Sequence, residues 1–162
     1  METSAALEQL IAAHPFLSGL APEFQSFLWD CASLRRFGSH QQIFQEAGEA
    51  DHFYLIVSGK VTLDATVPDC GTLPIQTLEA GEALGWSWLF PPYQWAFTAT
   101  TAVPTDVLSF GARLLRQKAL EDPDFANELL SRIAKTLVQR LLATRNELIH
   151  LYRVMSEHRI TA

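Results

Sequence analysis

The sequence contains no lysine or arginine between Lys60 and Arg113. This stretch therefore offers no cation to a buried phosphate, which normally needs charge-assisted hydrogen bonds. Positive charge is scarce in the whole chain as well, because the formal net charge is -6 at pH 7. An acidic protein repels a nucleic-acid backbone, whose binding normally requires a basic patch. We expect no direct nucleic-acid partner.

Cysteine and long apolar runs are also scarce. The only two cysteines are Cys31 and Cys70, and their spacing fits neither a metal site nor a redox motif, so we expect two free thiols. No apolar run approaches the roughly 20 residues that span a bilayer, and residues 1–6 lack the basic region of a secretory signal. We expect a cytoplasmic protein with no membrane partner.

Side chains suited to catalysis are few and scattered. The five histidines occupy positions 14, 40, 52, 150 and 158, which are too dispersed to supply a metal cage inside a barrel. The chain has no G-x-S-x-G motif, no paired carboxylates and no glycine-rich phosphate loop. We expect no enzymatic activity, no bound metal and no cofactor.

The predicted order of elements is helix, strands, helix. Ser4 can cap a first helix over residues 5–13, and Pro22 opens a second helix. From Gln42 to Phe110, short apolar runs alternate with turn residues, which is typical of a small antiparallel roll. Examples of these predicted strands are residues 53–57, 61–65, 73–78, 95–101 and 106–110.

Two further helices are predicted after the strands. One covers residues 112–121, and then Asp122 and Pro123 supply an N-cap and a proline in the first turn of a helix that ends near Glu157. With 162 residues, a single domain is the simplest organisation. Its predicted parts are N-terminal helices (1–36), a β-roll (37–110) and C-terminal helices (111–162), with no DNA-binding domain because residues 158–162 are too few for a recognition helix.

The last predicted helix carries a regular apolar seam. Its members follow one another at alternating steps of four and three residues, which is the heptad pattern of a coiled coil. These eight seam residues are Leu130, Ala134, Leu137, Leu141, Thr144, Leu148, Leu151 and Met155. Leu129, Ile133, Leu142, Ile149 and Tyr152 widen the apolar face. The pattern favours a parallel homodimer, and the alternative is a helix lying wholly on its own domain.

Several segments of the chain share one known layout. Residues 81–96 contain a Gly-Glu-x-x-Gly run, an aromatic stretch and a Trp-Ala pair; residues 42–59 contain Gln-Ile-Phe, Glu-Ala-Gly-Glu-Ala-Asp, Phe-Tyr-Leu-Ile-Val and Ser-Gly; residues 14–17 are His-Pro-Phe-Leu. Together they resemble the cyclic-nucleotide-binding domain family, in the catabolite-activator type of sensor. The resemblance implies a mainly β fold with flanking helices: a β-roll (double-stranded β-helix or jelly roll), N-terminal helices and a long C-terminal dimerisation helix.

The resemblance also implies a phosphate-binding cassette, and here this chain departs from the family. Aligned on Gly85, the glutamate that holds the ribose falls on Trp86, and the arginine that clamps the phosphate falls on Trp95, next to Ala96. Thr144 matches a threonine that reaches the base in the family. The resemblance therefore implies a degenerate cassette. Arg140 and Arg145 are the cations that could in principle replace the missing one.

Three interpretations of the cassette remain open. Its aromatic residues can fill the nucleotide volume, line a cup for a flat apolar or cationic ligand, or accompany altered cyclic-nucleotide binding through backbone N–H groups. Two functional classes follow: a regulatory sensor of small molecules with changed specificity, and a dimeric module that binds a protein partner. The candidate ligand residues are Gly85, Trp86, Ser87, Trp88, Tyr93, Gln94, Trp95, Ala96 and Thr144.

Overall fold

The computed structural model describes the backbone of residues 2–160 and the side chains of residues 5–157. It divides into two compact units, Met1–Ala126 and Asn127–Ala162. The first unit contains all the strands of the described chain, and the second consists of most of the last helix.

The chain begins with two helices separated by a turn. Helix α1 covers Glu2–Ala13, a 3-10 turn covers Pro15–Leu17, and α2 covers Pro22–Cys31. Proline opens α2 as predicted, because its fixed φ suits the first turn and its missing N–H is not needed there. His14 lies buried between α1 and the turn, and its Nδ1 accepts a hydrogen bond from the backbone N–H of Phe16 at 3.2 Å.

In the described residues, eight strands form two antiparallel four-stranded sheets. Their order is β1-β8-β3-β6 in one sheet and β2-β7-β4-β5 in the other. The predicted mainly β roll with flanking helices is thereby confirmed. The strands are β1 (Ala32–Phe37), β2 (Gln42–Phe44), β3 (His52–Ser58), β4 (Lys60–Val67), β5 (Gly71–Glu79), β6 (Ala83–Leu84), β7 (Thr98–Thr101) and β8 (Thr105–Gly111).

Strand β3 is buried on both faces. Successive side chains of a strand point to opposite sides, so Phe53 and Tyr54 enter different parts of the core. Phe53 packs against Phe16 at a centroid distance of 5.5 Å, whereas Tyr54 packs against Phe44 at 6.1 Å. The core therefore has two layers of aromatic side chains, one on each side of this sheet.

Several boundaries differ from the sequence prediction. Helix α1 begins at Glu2 rather than at residue 5, so Ser4 lies inside the helix and is not its N-cap. Strand β1 begins at Ala32, before the predicted start of the roll at residue 37, and its exposed Arg35 and Arg36 hide the apolar pattern that identifies buried strands. Strand β7 begins at Thr98 rather than residue 95, because the backbone of Trp95 bonds instead to Ala47 and Gly48.

Two helices follow the roll. Helix α3 covers Ala112–Glu121, as predicted, and α4 covers Pro123–Ile160, three residues beyond the predicted end. The carboxylate of Asp122 accepts a hydrogen bond from the N–H of Phe125 at 3.1 Å, which is the predicted N-cap. Lys118 pairs with Asp122 at 2.8 Å and joins the end of α3 to the start of α4.

Candidate functional site

The cassette segment, residues 81–96, includes β6 at the edge of the first sheet and leads to β7 in the second sheet. It begins with β6, which pairs Leu84 with Tyr54, and continues through a 3-10 turn at Ser87–Leu89. Gly85 lies between these elements at φ +81°, a left-handed conformation that glycine adopts without strain. The side chains of the segment decide what it can hold.

Trp95 fills the interior beside the cassette. Only 4% of the residue is exposed, and its indole stacks on the ring of Phe44 with 3.8 Å between centroids and 12° between planes. The ring of Tyr54 lies 6.3 Å from that of Trp95. The backbone N–H of Trp95 donates to Gly48 O, and its carbonyl accepts from Ala47 N, both at 2.9 Å. Trp95 is therefore fixed through both its ring and its main chain.

Gly85 and Trp95 fit together closely. A Cβ atom added to Gly85 would lie 2.9 Å from Cη2 of Trp95 and still closer to Cζ3. Real Cβ atoms do not approach so near, so only glycine leaves room for the indole. At the position where the resemblance places a phosphate-clamping arginine, the chain thus has a buried apolar ring packed on the glycine of the cassette.

The cassette aromatics do not form one cluster. Trp88 is fully buried but packs on Phe53, with 5.4 Å between centroids, and so belongs to the opposite layer of the core from Trp95. Trp86, Ser87 and Tyr93 are half-buried, whereas Gln94 and Ala96 are exposed. A single cup formed by all the aromatic residues would need them on one side of the sheet, and the alternation of β3 places Trp88 and Trp95 on opposite sides.

A cation does approach the cassette, from a residue that the sequence did not single out. Arg116 of α3 donates from Nη1 to the carbonyl of Trp88 at 2.6 Å. Its guanidinium carbon lies 4.3 Å from the centroid of the Tyr93 ring, a cation–π geometry. Tyr93 itself has φ +56°. Arg116 therefore holds the cassette segment through the carbonyl and the ring. Arg140 and Arg145, the predicted candidates, both belong to the C-terminal unit.

Burial favours the uncharged form of three titratable groups in the first unit. Burial raises the pKa of Tyr54, whose ring also lies 5.8 Å from that of His52. Burial likewise lowers the pKa of His14, and the hydrogen bond of its Nε2 with Ile56 O at 3.0 Å opposes this shift only in part. The Cys31 thiol has its pKa raised to about 11, chiefly by burial. These groups stay uncharged and suit a core more than a reactive centre.

The remaining predicted residues lie in the C-terminal unit. Thr144 is exposed, and its predicted contact with a base stays a prediction. Leu137 is half-buried, and the other seven seam residues are exposed in the single chain. Leu141, for example, is 69% exposed. Exposing a row of leucines to water is unfavourable unless a partner surface covers them. The role of the seam residues in a dimer also stays a prediction.

The described residues contain neither a group suited to a metal ion nor a helix suited to a membrane. No three His, Cys, Asp or Glu side chains lie close enough together in this part of the chain to hold a metal ion. None of its helices is both long and apolar enough to cross a membrane.

The backbone layout can be compared with known proteins. The family model described as Cyclic nucleotide-binding domain matches residues 34–122, more than half of the chain. This chain belongs to the cyclic nucleotide-binding domain family. A CRP-like cAMP-activated global transcriptional regulator of Mycobacterium tuberculosis is 24% identical over 145 residues, which cover 90% of this chain and 63% of that relative. The chain thus spans less than two thirds of the curated relative it matches.

Solved structures of the family share the fold. A cyclic nucleotide-binding domain from Methylobacillus flagellatus has a TM-score of 0.75 at 18% identity, over 91% of this chain and 83% of that one. The sensor domain of the transcriptional regulator DNR from Pseudomonas aeruginosa has a TM-score of 0.70 at 20% identity, over 87% of this chain and 95% of that one. At these identities the likeness establishes the fold of the cyclic nucleotide-binding domain and leaves the ligand to the side chains.

Proposed function

We propose that this protein is a non-catalytic regulatory domain whose cassette has exchanged nucleotide binding for a permanent aromatic core. The observation that carries the proposal is the buried indole of Trp95, stacked on Phe44 and packed against Gly85. A family member that binds a cyclic phosphate needs a cation and open space at this point. Here the space holds an apolar ring.

Electrostatics favour the same conclusion. A buried phosphate without a charge-assisted partner carries a penalty of several kcal/mol. Arg116 approaches the cassette, but it already donates to the carbonyl of Trp88 and covers the ring of Tyr93. Using it for a phosphate would remove both contacts. We therefore expect cAMP and cGMP to bind no tighter than about 1 mM, equivalent to about 4 kcal/mol of binding free energy.

Titration calorimetry with cAMP and cGMP tests the proposal. Wild-type protein should give no measurable heat of binding up to millimolar nucleotide. The double variant Trp86→Glu, Trp95→Arg restores the two polar side chains that the family places there and serves as the positive arm, with tighter cAMP binding than wild type. A micromolar dissociation constant for the wild-type protein, about 8 kcal/mol, would show that the cassette is functional and that the proposal is wrong.

We further propose that the domain acts as a parallel homodimer through the seam of α4. The supporting observation is that apolar seam residues are exposed in the single chain, including Leu141 at 69%, Leu151 at 58% and Met155 at 60%. A heptad seam of this kind is buried when a second helix packs knobs into its holes. Regulation would then pass through protein contacts rather than through a bound nucleotide.

Light scattering tests the dimer. Wild-type protein at micromolar concentration should have twice the mass of one chain, and Leu141→Glu should reduce it to one, because like charges would meet at the seam. Asn146→Glu adds the same charge on the polar side of α4 and should leave the mass unchanged. A wild-type protein that stays monomeric at high concentration rules out the seam.

A further inference from the structure

The C-terminal part of α4 carries a second stripe of exposed residues beside the seam. Each member follows a seam residue by one position, so the stripe has the same steps of four and three. This flank stripe consists of Val138, Leu142, Arg145, Ile149 and Tyr152. Its four apolar members are exposed, from 37% for Ile149 to 65% for Tyr152. Seam and flank stripe together cover about half of the helix circumference, more than one partner helix covers.

Arg145 stands in the middle of the flank stripe without an acidic neighbour. On a helix, side chains three and four positions apart meet, and all four such neighbours of Arg145 are apolar. They are Leu141, Leu142, Leu148 and Ile149. In the part of the chain that the structure describes, Arg145 makes no ion pair, whereas Arg132 on the same helix pairs with Glu128 at 3.2 Å. Arg145 is exposed and solvated in the single chain, but a partner helix that covered this apolar face would remove that water, and the guanidinium would then need a carboxylate from the partner.

A second copy of this chain does not supply that carboxylate. Arg145 occupies the heptad position that directly follows a seam residue. In a parallel two-stranded coil, this position lies opposite the residue five places earlier on the other helix, and that residue is Arg140. The residue at that position is therefore another arginine, which is itself buried in its own chain, and not a carboxylate. This step rests on the proposed dimer, which assigns the seam to a second copy and leaves the flank stripe open.

We propose that the flank stripe binds an amphipathic helix of a different protein, and that this helix places a carboxylate opposite Arg145. Charge complementarity supports an acidic partner, because residues 127–162 contain six Lys or Arg and three Glu, a balance of +3 in a chain of -6. A lipid surface fits less well. Helices that lie on membranes carry their cations on the polar face, whereas Arg145 interrupts the apolar arc and Glu147 and Glu157 lie on the polar side.

The test uses two labelled synthetic peptides of about three heptads, identical amphipathic helices except for a central Glu or Lys. Fluorescence anisotropy with the full chain should show the Glu peptide binding roughly tenfold tighter than the Lys peptide, as a charged hydrogen bond gained or lost predicts. Arg145→Glu should reverse the preference, and Leu142→Glu should abolish binding of both peptides. His150→Glu adds the same residue on the polar side and should keep the wild-type preference. Circular dichroism confirms that each variant retains its helix.

Three results would overturn the proposal. They are equal binding of the two peptides to the wild-type protein, binding to vesicles containing anionic phosphatidylserine that Arg145→Glu abolishes, and a mass of four chains that Leu142→Glu halves. The first would remove the role of the charge, the second would assign the stripe to lipid, and the third would assign it to further copies. A monomeric mass combined with selective Glu-peptide binding would contradict the proposed dimer and support the acidic partner of the flank stripe.

Discussion

Trp95→Ala is the substitution that most clearly separates a filled core from a ligand cup. The indole is 4% exposed, stacks on Phe44 at 3.8 Å and excludes any side chain at position 85. Removing a buried aromatic ring of this size costs about 3 to 5 kcal/mol, because the neighbours refill the cavity only in part. The close stacking on Phe44 adds to that cost, since aromatic pairs contribute about 0.5 to 1.5 kcal/mol beyond their buried area.

This loss is large against the stability of a domain, which is about 5 to 15 kcal/mol in total. For a chain of this length, each kcal/mol lowers the melting temperature by about 2 to 4 °C, so Trp95→Ala should lower it by about 6 to 20 °C. Thermal melts followed by circular dichroism, together with urea titrations, measure both quantities.

Phe90→Ala provides the matched control for Trp95→Ala. Phe90 belongs to the same cassette segment but is 57% exposed, so its truncation should change stability by only about 0.5 kcal/mol. If Trp95→Ala melted as the wild type and Phe90→Ala do, the indole would not be a core side chain. The reasoning from burial and stacking would then be refuted, and Trp95 would be assigned to an open ligand site.

Two more predictions concern contacts around the cassette. Arg116→Met removes the hydrogen bond to Trp88 O and the cation–π contact with Tyr93, so it should lower the free energy of unfolding by about 2 kcal/mol in urea titrations. The control Arg113→Met replaces an exposed arginine and should change this free energy very little. Equal effects of the two variants would show that Arg116 does not hold the segment. Burial lowers the pKa of His14, so the unfolded chain binds a proton at a higher pH than the folded chain does. The free energy of unfolding should therefore fall as pH drops below about 6.5 toward the lowered pKa, and His14→Gln should flatten this fall. An unchanged slope in the variant would contradict the prediction.

Local sequence patterns predicted most of the fold. Residues 112–121 were predicted as a helix and form α3, and Asp122 acts as the expected N-cap of α4, because capping and helix propensity depend on neighbours in the chain. Strand β1 was missed because it pairs only with β8, whose paired residues lie 68 to 78 positions away in the sequence, and its two exposed arginines break the apolar alternation. Such a pairing is a tertiary contact that short windows of sequence do not contain.

The candidate site was predicted less completely. The motif was enough to infer that Trp95 replaces the clamping arginine. It did not show that Trp88 packs in the opposite layer of the core, because that placement depends on the pleat of β3. Arg116 was also missed, because it reaches the cassette from α3 and follows no motif. The sequence has no Lys or Arg between Lys60 and Arg113. In the folded chain, however, Arg116 of the following helix contacts the cassette.

The central claim is that Trp95 occupies the space of a cyclic phosphate. The most direct measurement is an experimental crystal structure of the wild-type protein grown with millimolar cAMP. We predict that the indole of Trp95 will lie on Phe44 and against Gly85, with no nucleotide between them. Density for a cyclic phosphate at Gly85, with the indole displaced from Phe44, would contradict the claim.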